Sequence, residues 1–298
     1  MKRMRTYLAA TLAFALGCGS SQDSGKVTLL LKDAPANVQE AVVTIEQVSL
    51  VGDGGSVALL GAPVTTNLLT LANDVLTLVD GATVPAGTYG QLRFRISGGY
   101  LKVDDVIYAS SPTYAGLPPG AIVGGSLQMP SYGQSGLKVI LPGDGLVIGG
   151  DAQTWVVDFD VSQSFGHDTG TDKWVMHPVI KGTPVEQTGS VTATLTFDTE
   201  VYLPGDLSLG DFSATLTPAA GGDAKVFPLV DPDGDGVFAF TFQYLPAGDY
   251  VISFRAPAAI TYFDVTPAIP AIATVTGGAD TRVDFLLTGY DLAAPAPL

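Results

Sequence analysis

Cysteine is almost absent from this sequence, with Cys18 as the one cysteine among 298 residues. A disulfide needs two cysteines, so none can link parts of this chain. The folded domains must therefore derive their stability from packing and hydrogen bonding. If Cys18 is consumed by a modification, catalysis by a free thiol is excluded as well.

Basic residues are also scarce. Charged residues make up 14% of the chain, and 14 Lys and Arg stand against 29 Asp and Glu, for a net charge of −15. An acidic surface of this kind repels nucleic acid and anionic lipid and favours cations. The simpler interpretation is an acidic exterior that keeps the protein soluble. Nucleic acid is therefore not expected as a partner.

Several catalytic motifs are missing from the sequence. It contains no G-x-S-x-G elbow, no P-loop, no G-x-G-x-x-G turn and no H-E-x-x-H pair. These patterns position the nucleophile, phosphate, dinucleotide or zinc ion in large enzyme classes. After residue 17, no apolar run approaches the roughly 20 residues that a membrane-spanning helix requires. We predict a non-enzymatic protein whose main part lies in water.

The N-terminal segment carries the strongest functional signal. Three basic residues precede an apolar run over residues 7–16, and Gly17 directly precedes Cys18. This order is typical of a secretory signal peptide. The junction resembles the lipobox of bacterial lipoproteins, in which the cysteine becomes the first mature residue and is acylated, for example with palmitate. The alternative is a signal peptide followed by a chance cysteine.

The lipobox resemblance implies a location for the mature protein. We predict a signal peptide over residues 1–17, lipidation of Cys18 and attachment to a membrane through this anchor. Gly19 stands where lipoproteins retained in the inner membrane carry Asp, which favours the outer membrane.

From residue 26 onward, apolar and polar residues alternate in the manner of β-strands. Alternation with a period of two indicates strands with one buried face, and clusters of Gly, Pro and Asp separate them. The strand-like runs are 27–31, 42–51, 89–96 and 155–161, followed by 191–197, 212–217, 237–242, 250–254 and 281–287. Short helices are expected at 37–41 and 68–76.

These runs predict an all-β protein with two Greek-key or immunoglobulin-like β-sandwich domains in tandem. The first domain is placed at 26–184 and the second at 188–290. A flexible tether over 18–25 precedes them, and a disordered tail over 291–298 follows.

One five-residue motif occurs in each block. Pro85-Ala86-Gly87-Thr88-Tyr89 and Pro246-Ala247-Gly248-Asp249-Tyr250 both lead into a predicted strand. The glycine tolerates a positive φ in the turn, and the tyrosine hydroxyl can bond back to the loop as in a tyrosine corner. The motif therefore predicts a structural role that involves no chemistry.

The first block resembles a bacterial family known as domain of unknown function 4382. The matching segments, in order, are Leu31-Lys32-Asp33-Ala34-Pro35, Val42-Val43-Thr44-Ile45, Asn67-Leu68-Leu69-Thr70-Leu71, Pro85-Ala86-Gly87-Thr88-Tyr89, Asp158-Phe159-Asp160 and Pro178-Val179-Ile180-Lys181. The family typically occurs on lipoproteins and has no established activity. The resemblance thus implies a location and an architecture but no catalytic residues.

The second block is similar to the prealbumin-like sandwich modules called carboxypeptidase regulatory-like domains. Its marks are Gly189-Ser190-Val191, the acidic turn over 231–236 and the motif that ends at Tyr250. Where such modules accompany an enzyme, they stabilise it or dock a partner.

The acidic turn is a candidate metal site. Asp231, Asp233 and Asp235 reproduce the D-x-D-x-D-G start of a calcium loop, in which alternate carboxylates converge on one ion. The twelfth position is Phe242, where an EF-hand requires a bidentate Glu, so an EF-hand is excluded. Two interpretations stay open, namely a looser calcium site and a plain hairpin turn in which Asp and Gly serve the backbone.

Two further carboxylates are candidates for acid–base chemistry. Asp158 and Asp160 are expected on one face of one strand, about 6.6 Å apart, with Asp33 as a third member if the first strand lies nearby. Such a pair could hydrolyse a glycan. The alternative is that both carboxylates accept backbone hydrogen bonds. His167 and His177 lack metal-ligand spacing, and His167 is interpreted as an exposed loop residue.

The stretch 109–136 is predicted to form a long loop over the first domain. Tyr100, Tyr108, Tyr114 and Tyr132 border or lie in it. Long loops with aromatic residues often hold ligands, so a glycan could stack there. Ordinary side-chain packing is the alternative.

Taken together, these patterns predict a lipid-anchored envelope protein with a non-catalytic binding or structural role. Its partners would be the membrane and an envelope protein or a glycan. A carboxylate-dependent glycan hydrolase and a calcium-dependent adhesin are the alternative functions.

Overall fold

The computed structural model describes residues 24–33, 36, 38–72, 74–130, 136–168, 170–171, 173–222 and 224–293. Two β domains follow one another along the chain and are joined by a 3₁₀ turn at Val185–Gln187. The prediction of an all-β chain with two domains is thereby confirmed. Within the described part, no helix is both long enough and apolar enough to cross a membrane.

Among its described residues, the first domain contains fifteen strands and one short α-helix. Their bounds are β1 Ser24–Asp33, β2 Glu40–Gly52, β3 Gly55–Ala58, β4 Val64–Asn67, β5 Leu76–Pro85, β6 Gly87–Tyr89, β7 Gln91–Val103, β8 Val106–Ala109, β9 Val123–Gln128, β10 Leu137–Ile140, β11 Leu146–Ile148, β12 Ala152–Phe159, α1 Val161–Ser164, β13 Phe165–Asp168, β14 Lys173–Met176 and β15 Ile180–Pro184.

Two main sheets enclose the core of the first domain. The smaller has the strand order β15-β12-β1-β5, and the larger runs β13-β14-β9-β8-β7-β2-β3, with β10 beside β7 and β4 beside β2. β6 and β11 form a separate pair. Leu29, Leu31 and Val157 of the small sheet pack with Ile45 and Phe94 of the large one. β1 and β12 run parallel, so the first strand lies beside one far along the chain.

In the described part of the second domain, eight strands form two four-stranded sheets. Their bounds are β16 Thr188–Phe197, β17 Ser213–Pro218, β18 Lys225–Pro228, β19 Phe238–Pro246, β20 Gly248–Arg255, β21 Ile260–Thr266, β22 Ala271–Val275 and β23 Asp280–Leu292. The sheet orders are β19-β16-β23-β21 and β18-β17-β20-β22. Leu195, Phe212 and Phe285 are among the buried residues between them.

Several local predictions were wrong because strand pairing overrides local sequence. Residues 24–25 of the predicted tether begin β1 and pair with β5. Residues 40–41 of the predicted helix open β2, which pairs with β7. The predicted helix at 68–76 is reduced to a 3₁₀ turn at Leu68–Leu71. Residues 291–292 of the predicted tail belong to β23 and pair with β21.

The two tyrosine motifs have the predicted tie to the preceding loop. The hydroxyl of Tyr89 donates to the carbonyl of Pro85 at 3.0 Å, and the hydroxyl of Tyr250 donates to the carbonyl of Pro246 at 2.9 Å. Gly87 and Gly248 have φ values of 154° and 151°, where a side chain would be strained. The structural role of both motifs is confirmed.

Candidate functional site

The predicted lipidation site, Cys18, lies outside the described residues, together with the predicted signal peptide over 1–17. The described structure begins at Ser24, with the first residue of β1. Lipidation of Cys18 therefore stays a prediction.

Asp160 does not share a strand with Asp158. β12 ends at Phe159, and Asp160 is the N-cap of α1. Its Oδ1 accepts the backbone N–H of Gln163 at 3.1 Å and the hydroxyl of Ser162 at 2.6 Å. The predicted strand face was wrong for Asp160 because the chain turns directly after Phe159. An acidic residue three positions before Gln is a helix N-cap signature, and it would have identified this role.

Asp33 lies near these residues but on the other face of its sheet. β1 runs beside β12, and Asp33 is in register with Phe159. The side chain of Asp33 is buried, and its Oδ1 accepts the backbone N–H of Val161 at 2.9 Å. Asp33 therefore supports the backbone where β12 passes into α1. Asp33 therefore does not join Asp158 and Asp160 in a solvent-facing group of carboxylates.

Asp158 belongs to a charged cluster between the two domains. Its Oδ2 lies 3.4 Å from Nζ of Lys32 and 3.8 Å from Nζ of Lys225. The Lys32 ammonium also donates to the backbone carbonyl of Tyr244 at 2.8 Å. Lys32 and Asp158 belong to the first domain and the other two residues to the second. These four residues, the interdomain ion cluster, therefore fasten the two domains together.

Burial sets the electrostatics of the interdomain ion cluster. Lys32 is 6% exposed, and this burial lowers its pKa to about 8, against the opposing effect of Asp158. Burial also raises the pKa of Tyr250 to about 12, and the charge of Asp158 adds to that shift. No sequence pattern revealed this cluster. Lys32 occupies an ordinary polar position of an alternating strand, and the domain that covers it is distant in sequence.

A groove of about 160 Å³ between the domains is lined by Asp158 and Asp160, with Lys181, Lys225 and Tyr250 among its other residues. A hydrolase needs one acid and one base that are free to exchange protons with the substrate. In this groove one carboxylate is held by ammonium groups and the other caps a helix. The geometry therefore favours a structural role for both residues. The predicted backbone hydrogen bond is observed for Asp160, whereas Asp158 is held by ion pairs instead.

The acidic turn brings three carboxylates together. Oxygens of Asp231, Asp233 and Asp235 lie within 4.8 Å of one another. Both oxygens of Asp231 also accept backbone N–H groups, from Gly234 at 2.8 Å and from Gly236 at 3.0 Å. The all-oxygen donor set fits calcium. The bonds of Asp231 by themselves also explain a tight hairpin turn, so both interpretations of this turn are supported by its geometry.

His167 lies in an aromatic cluster. Its ring centroid is 5.1 Å from that of Trp174, and the Tyr108 ring is 6.5 Å from His167 and 6.1 Å from Trp174. The predicted exposure of His167 is confirmed. The predicted loop was wrong, because His167 is in β13 and pairs with Trp174 of β14. His177 is exposed. Among the described residues, neither histidine belongs to a group of three potential metal ligands.

The stretch 109–136 is a loop in part. Residues 110–122 form successive turns and loop segments, and 123–128 form β9 of the large sheet. The turns cover the outer face of this sheet, where Tyr114 and Leu117 pack around the buried Tyr100. Tyr108 instead packs against the main core, and Tyr132 lies outside the described residues. Side-chain packing therefore accounts for Tyr100 and Tyr108.

A surface hollow of about 410 Å³ lies beside these turns. The hydroxyl of Tyr114 is 2.7 Å from Oγ1 of Thr44, which in turn is 2.7 Å from Oγ1 of Thr65. The tyrosine ring occupies the space that a Cβ atom at Gly98 or Gly116 would need. This hydroxyl hollow is lined by Thr44, Thr65, Ser97, Ser110, Ser111, Thr113, Tyr114, Ala115 and Gly116.

Residues 24–178 match the family described as Domain of unknown function (DUF4382). The match covers more than half of the chain and ends shortly before the last strand of the first domain. A search of curated proteins finds no match to this chain.

Comparison with solved structures finds proteins of low sequence identity. The Bacillus anthracis TIE protein is 12% identical, with 89% of this chain and 34% of that protein covered and a TM-score of 0.20. A minor pilin of Streptococcus agalactiae is 10% identical, with 91% and 98% covered and a TM-score of 0.24. The major pilin subunit of Bacillus cereus is 11% identical, with 89% and 70% covered and a TM-score of 0.25.

This chain thus spans about a third of the length of the first of these proteins. TM-scores of this size support no inference about function.

Proposed function

The chain belongs to the DUF4382 family, and we propose that it is a lipid-anchored protein of the bacterial envelope with a non-catalytic binding or structural role. The lipobox-like junction at Cys18 supports the anchor, and Gly19 favours the outer membrane. The resemblance of the second domain to carboxypeptidase regulatory-like modules supports a docking role for that domain. On this proposal, the lipid holds two β domains at the membrane surface.

The proposal of a non-catalytic role rests on one observation, namely that both candidate catalytic carboxylates make structural contacts. Asp158 joins the domains through Lys32 and Lys225, and Asp160 caps α1. A general acid or base must gain and lose a proton during each turnover. Here that change would disturb an ion pair or a helix cap, and this counts against the glycan hydrolase alternative.

The anchor can be tested by expressing the full chain in a bacterial host and partitioning the membranes in detergent. We expect the wild type and a Ser20→Ala control in the detergent phase. The Cys18→Ser variant should move to the aqueous phase, because it has no thiol to acylate. The mass of the N-terminal peptide should show an acylated cysteine as its first residue. A Cys18→Ser variant that stays in the detergent phase would refute the anchor.

A calcium-dependent adhesin is the second candidate, favoured by the convergence of Asp231, Asp233 and Asp235 within 4.8 Å. Thermal unfolding of the full chain should be compared in millimolar calcium and in chelator. If calcium binds, it raises the melting temperature of the wild type and leaves an Asp233→Asn, Asp235→Asn double variant unchanged. An identical midpoint in both buffers excludes this candidate without affecting the lipid anchor.

A further inference from the structure

We propose that the hydroxyl hollow binds a neutral glycan. The proposal rests on the binding role proposed above and deepens it, because it names a site and a class of ligand. The hollow lies in the first domain and shares no residue with the interdomain ion cluster or the acidic turn. It is formed where residues 110–116 leave the outer face of the large sheet.

The first argument concerns charge. Each of the nine lining residues is uncharged, although the chain as a whole carries a net charge of −15. An anionic or cationic ligand would lose water there without gaining an opposite charge, which is unfavourable. The hollow therefore selects for a neutral ligand.

The second argument concerns hydrogen bonding. Seven of the lining side chains carry a hydroxyl group. Bonds within the lining link Thr44 with Thr65 and Tyr114, and Ser111 with Thr113. Each Ser or Thr hydroxyl has one donor and two acceptor sites, so one internal bond leaves further sites for a ligand. Oγ of Ser110 accepts the backbone N–H of Gly99 at 3.0 Å, which leaves its own O–H group to donate. Ser97 and Thr113 are exposed at the hollow. A polyhydroxylated ligand presents the matching mixture of donors and acceptors.

The third argument is that the aromatic side chain is already fixed. The bond between the Tyr114 hydroxyl and Thr44 holds the ring at one end, and the absent side chains of Gly98 and Gly116 allow it to lie close to the backbone. Turns at Ser111–Tyr114 and Tyr114–Leu117, closed by N–H···O bonds of 3.1 Å each, hold its backbone. A preorganised ring loses little conformational entropy when a ligand binds.

The size and position of the hollow also suit a sugar. Its volume of about 410 Å³ falls within the roughly 300–1,000 Å³ of small-molecule sites. It opens at the surface, so the rest of a glycan chain could continue into solvent. Peptides that bind β-proteins commonly add to the bare backbone of an edge strand, whereas side-chain hydroxyls dominate this lining. These features favour a glycan over a peptide.

The test is native gel electrophoresis of the chain that follows the predicted signal peptide. The gels contain dextran, mannan or laminarin, which are neutral polysaccharides. A gel with anionic alginate serves as the charge control. Ala115→Arg places a long charged side chain in the hollow without removing a hydrogen bond. Ala220→Arg adds the same charge at an exposed turn of the second domain and is the matched control.

We expect at least one neutral polysaccharide, and not alginate, to retard the wild type and the Ala220→Arg variant. Ala115→Arg should weaken this binding at least tenfold. Tyr114→Phe, which removes one hydroxyl, should weaken it roughly fivefold, as expected for one hydrogen bond. Absence of retardation by all three neutral polysaccharides would overturn the proposal. Equal retardation of the two arginine variants would do so as well.

The outcome is independent of the lipid anchor. If Cys18→Ser leaves the membrane but no glycan binds, the glycan site is wrong and the anchor stands. If a glycan binds at the hollow while Cys18→Ser stays in the detergent phase, the anchor is wrong and the site stands.

Discussion

Nζ of Lys32 lies 3.4 Å from Oδ2 of Asp158, and the two residues are register partners on the parallel strands β1 and β12. The same ammonium donates to the carbonyl of Tyr244 in the second domain, and Lys225 approaches the same carboxylate oxygen. A pair formed within one domain thereby becomes a link to the next. Substitution of either residue of the pair should therefore weaken the association of the two domains.

Lys32→Met should destabilise the protein. The variant keeps the apolar length of the side chain but leaves Asp158 and the Tyr244 carbonyl without the ammonium, at a cost of about 1–3 kcal/mol. The free energy of unfolding in denaturant measures this loss. Lys26→Met on the same strand is the control, since Lys26 is exposed and donates to Thr83. It should change stability by less than about 0.5 kcal/mol, and equal losses in both variants would contradict the prediction.

The stability difference between the wild type and Lys32→Met should depend on pH in the alkaline range. Burial lowers the pKa of Lys32 to about 8 in the folded protein, from 10.5. Between these values the unfolded chain binds more protons than the folded chain at this residue, so its contribution to stability rises with pH. Below pH 8 both states hold the proton, and the contribution is constant.

Unfolding of both proteins in denaturant between pH 7 and pH 10 checks this pH dependence. The wild type should gain stability relative to Lys32→Met above pH 8, with a slope of at most about 1.4 kcal/mol per pH unit. Other titrating groups, Tyr250 among them, are present in both proteins and largely cancel in the difference. A difference that stays flat from pH 7 to pH 10 would show that the Lys32 pKa is not lowered.

The two tyrosine corners should contribute similarly to stability. Tyr89→Phe and Tyr250→Phe each remove a hydroxyl that donates to a loop carbonyl, and each should cost about 0.5–1.5 kcal/mol. Tyr262→Phe is the control, because its hydroxyl bonds to exposed Asp264 at the surface. Denaturant titration should place the control near the wild type. If the control lost as much stability as the two corner variants, the hydrogen bonds to the loop carbonyls would contribute no more to stability than a surface hydrogen bond.

In the acidic turn, Asp231 should contribute more to the stability of the protein than Asp233 when no calcium is present. Asp231→Ala leaves the N–H groups of Gly234 and Gly236 without their acceptor, which should cost about 1 kcal/mol. Asp233→Ala at an exposed position should be nearly neutral. Thermal unfolding in chelator measures both variants. The reverse order would argue against the hairpin interpretation of Asp231.

Patterns that act over a few residues were predictable from the sequence. Alternation of apolar and polar residues identified β1 and β16 as strands, and the motifs ending at Tyr89 and Tyr250 identified both corners. The same local logic identifies Asp160 as a helix cap once its spacing to Gln163 is considered. These features depend on backbone conformation and side-chain reach, which neighbouring residues determine.

The candidate sites were less predictable because they depend on distant segments. Residues 110–116 contain serine, threonine and tyrosine, as many loops do. They form a hollow because Tyr114 reaches Thr44 on another strand and fits over Gly98. The sequence left a catalytic and a structural role open for Asp158, because Lys225, which lies 3.8 Å from its carboxylate, belongs to the other domain.

The sequence by itself determined the all-β class, and it predicts export and lipidation, since these inferences depend on composition, period and short motifs. The tertiary structure alone decided which charges meet. Whether a lysine on an alternating strand faces water or a second domain depends on long-range packing, and burial then shifts its pKa. That difference separates Lys26, exposed on β1, from Lys32, which lies six residues further along the same strand and joins the two domains.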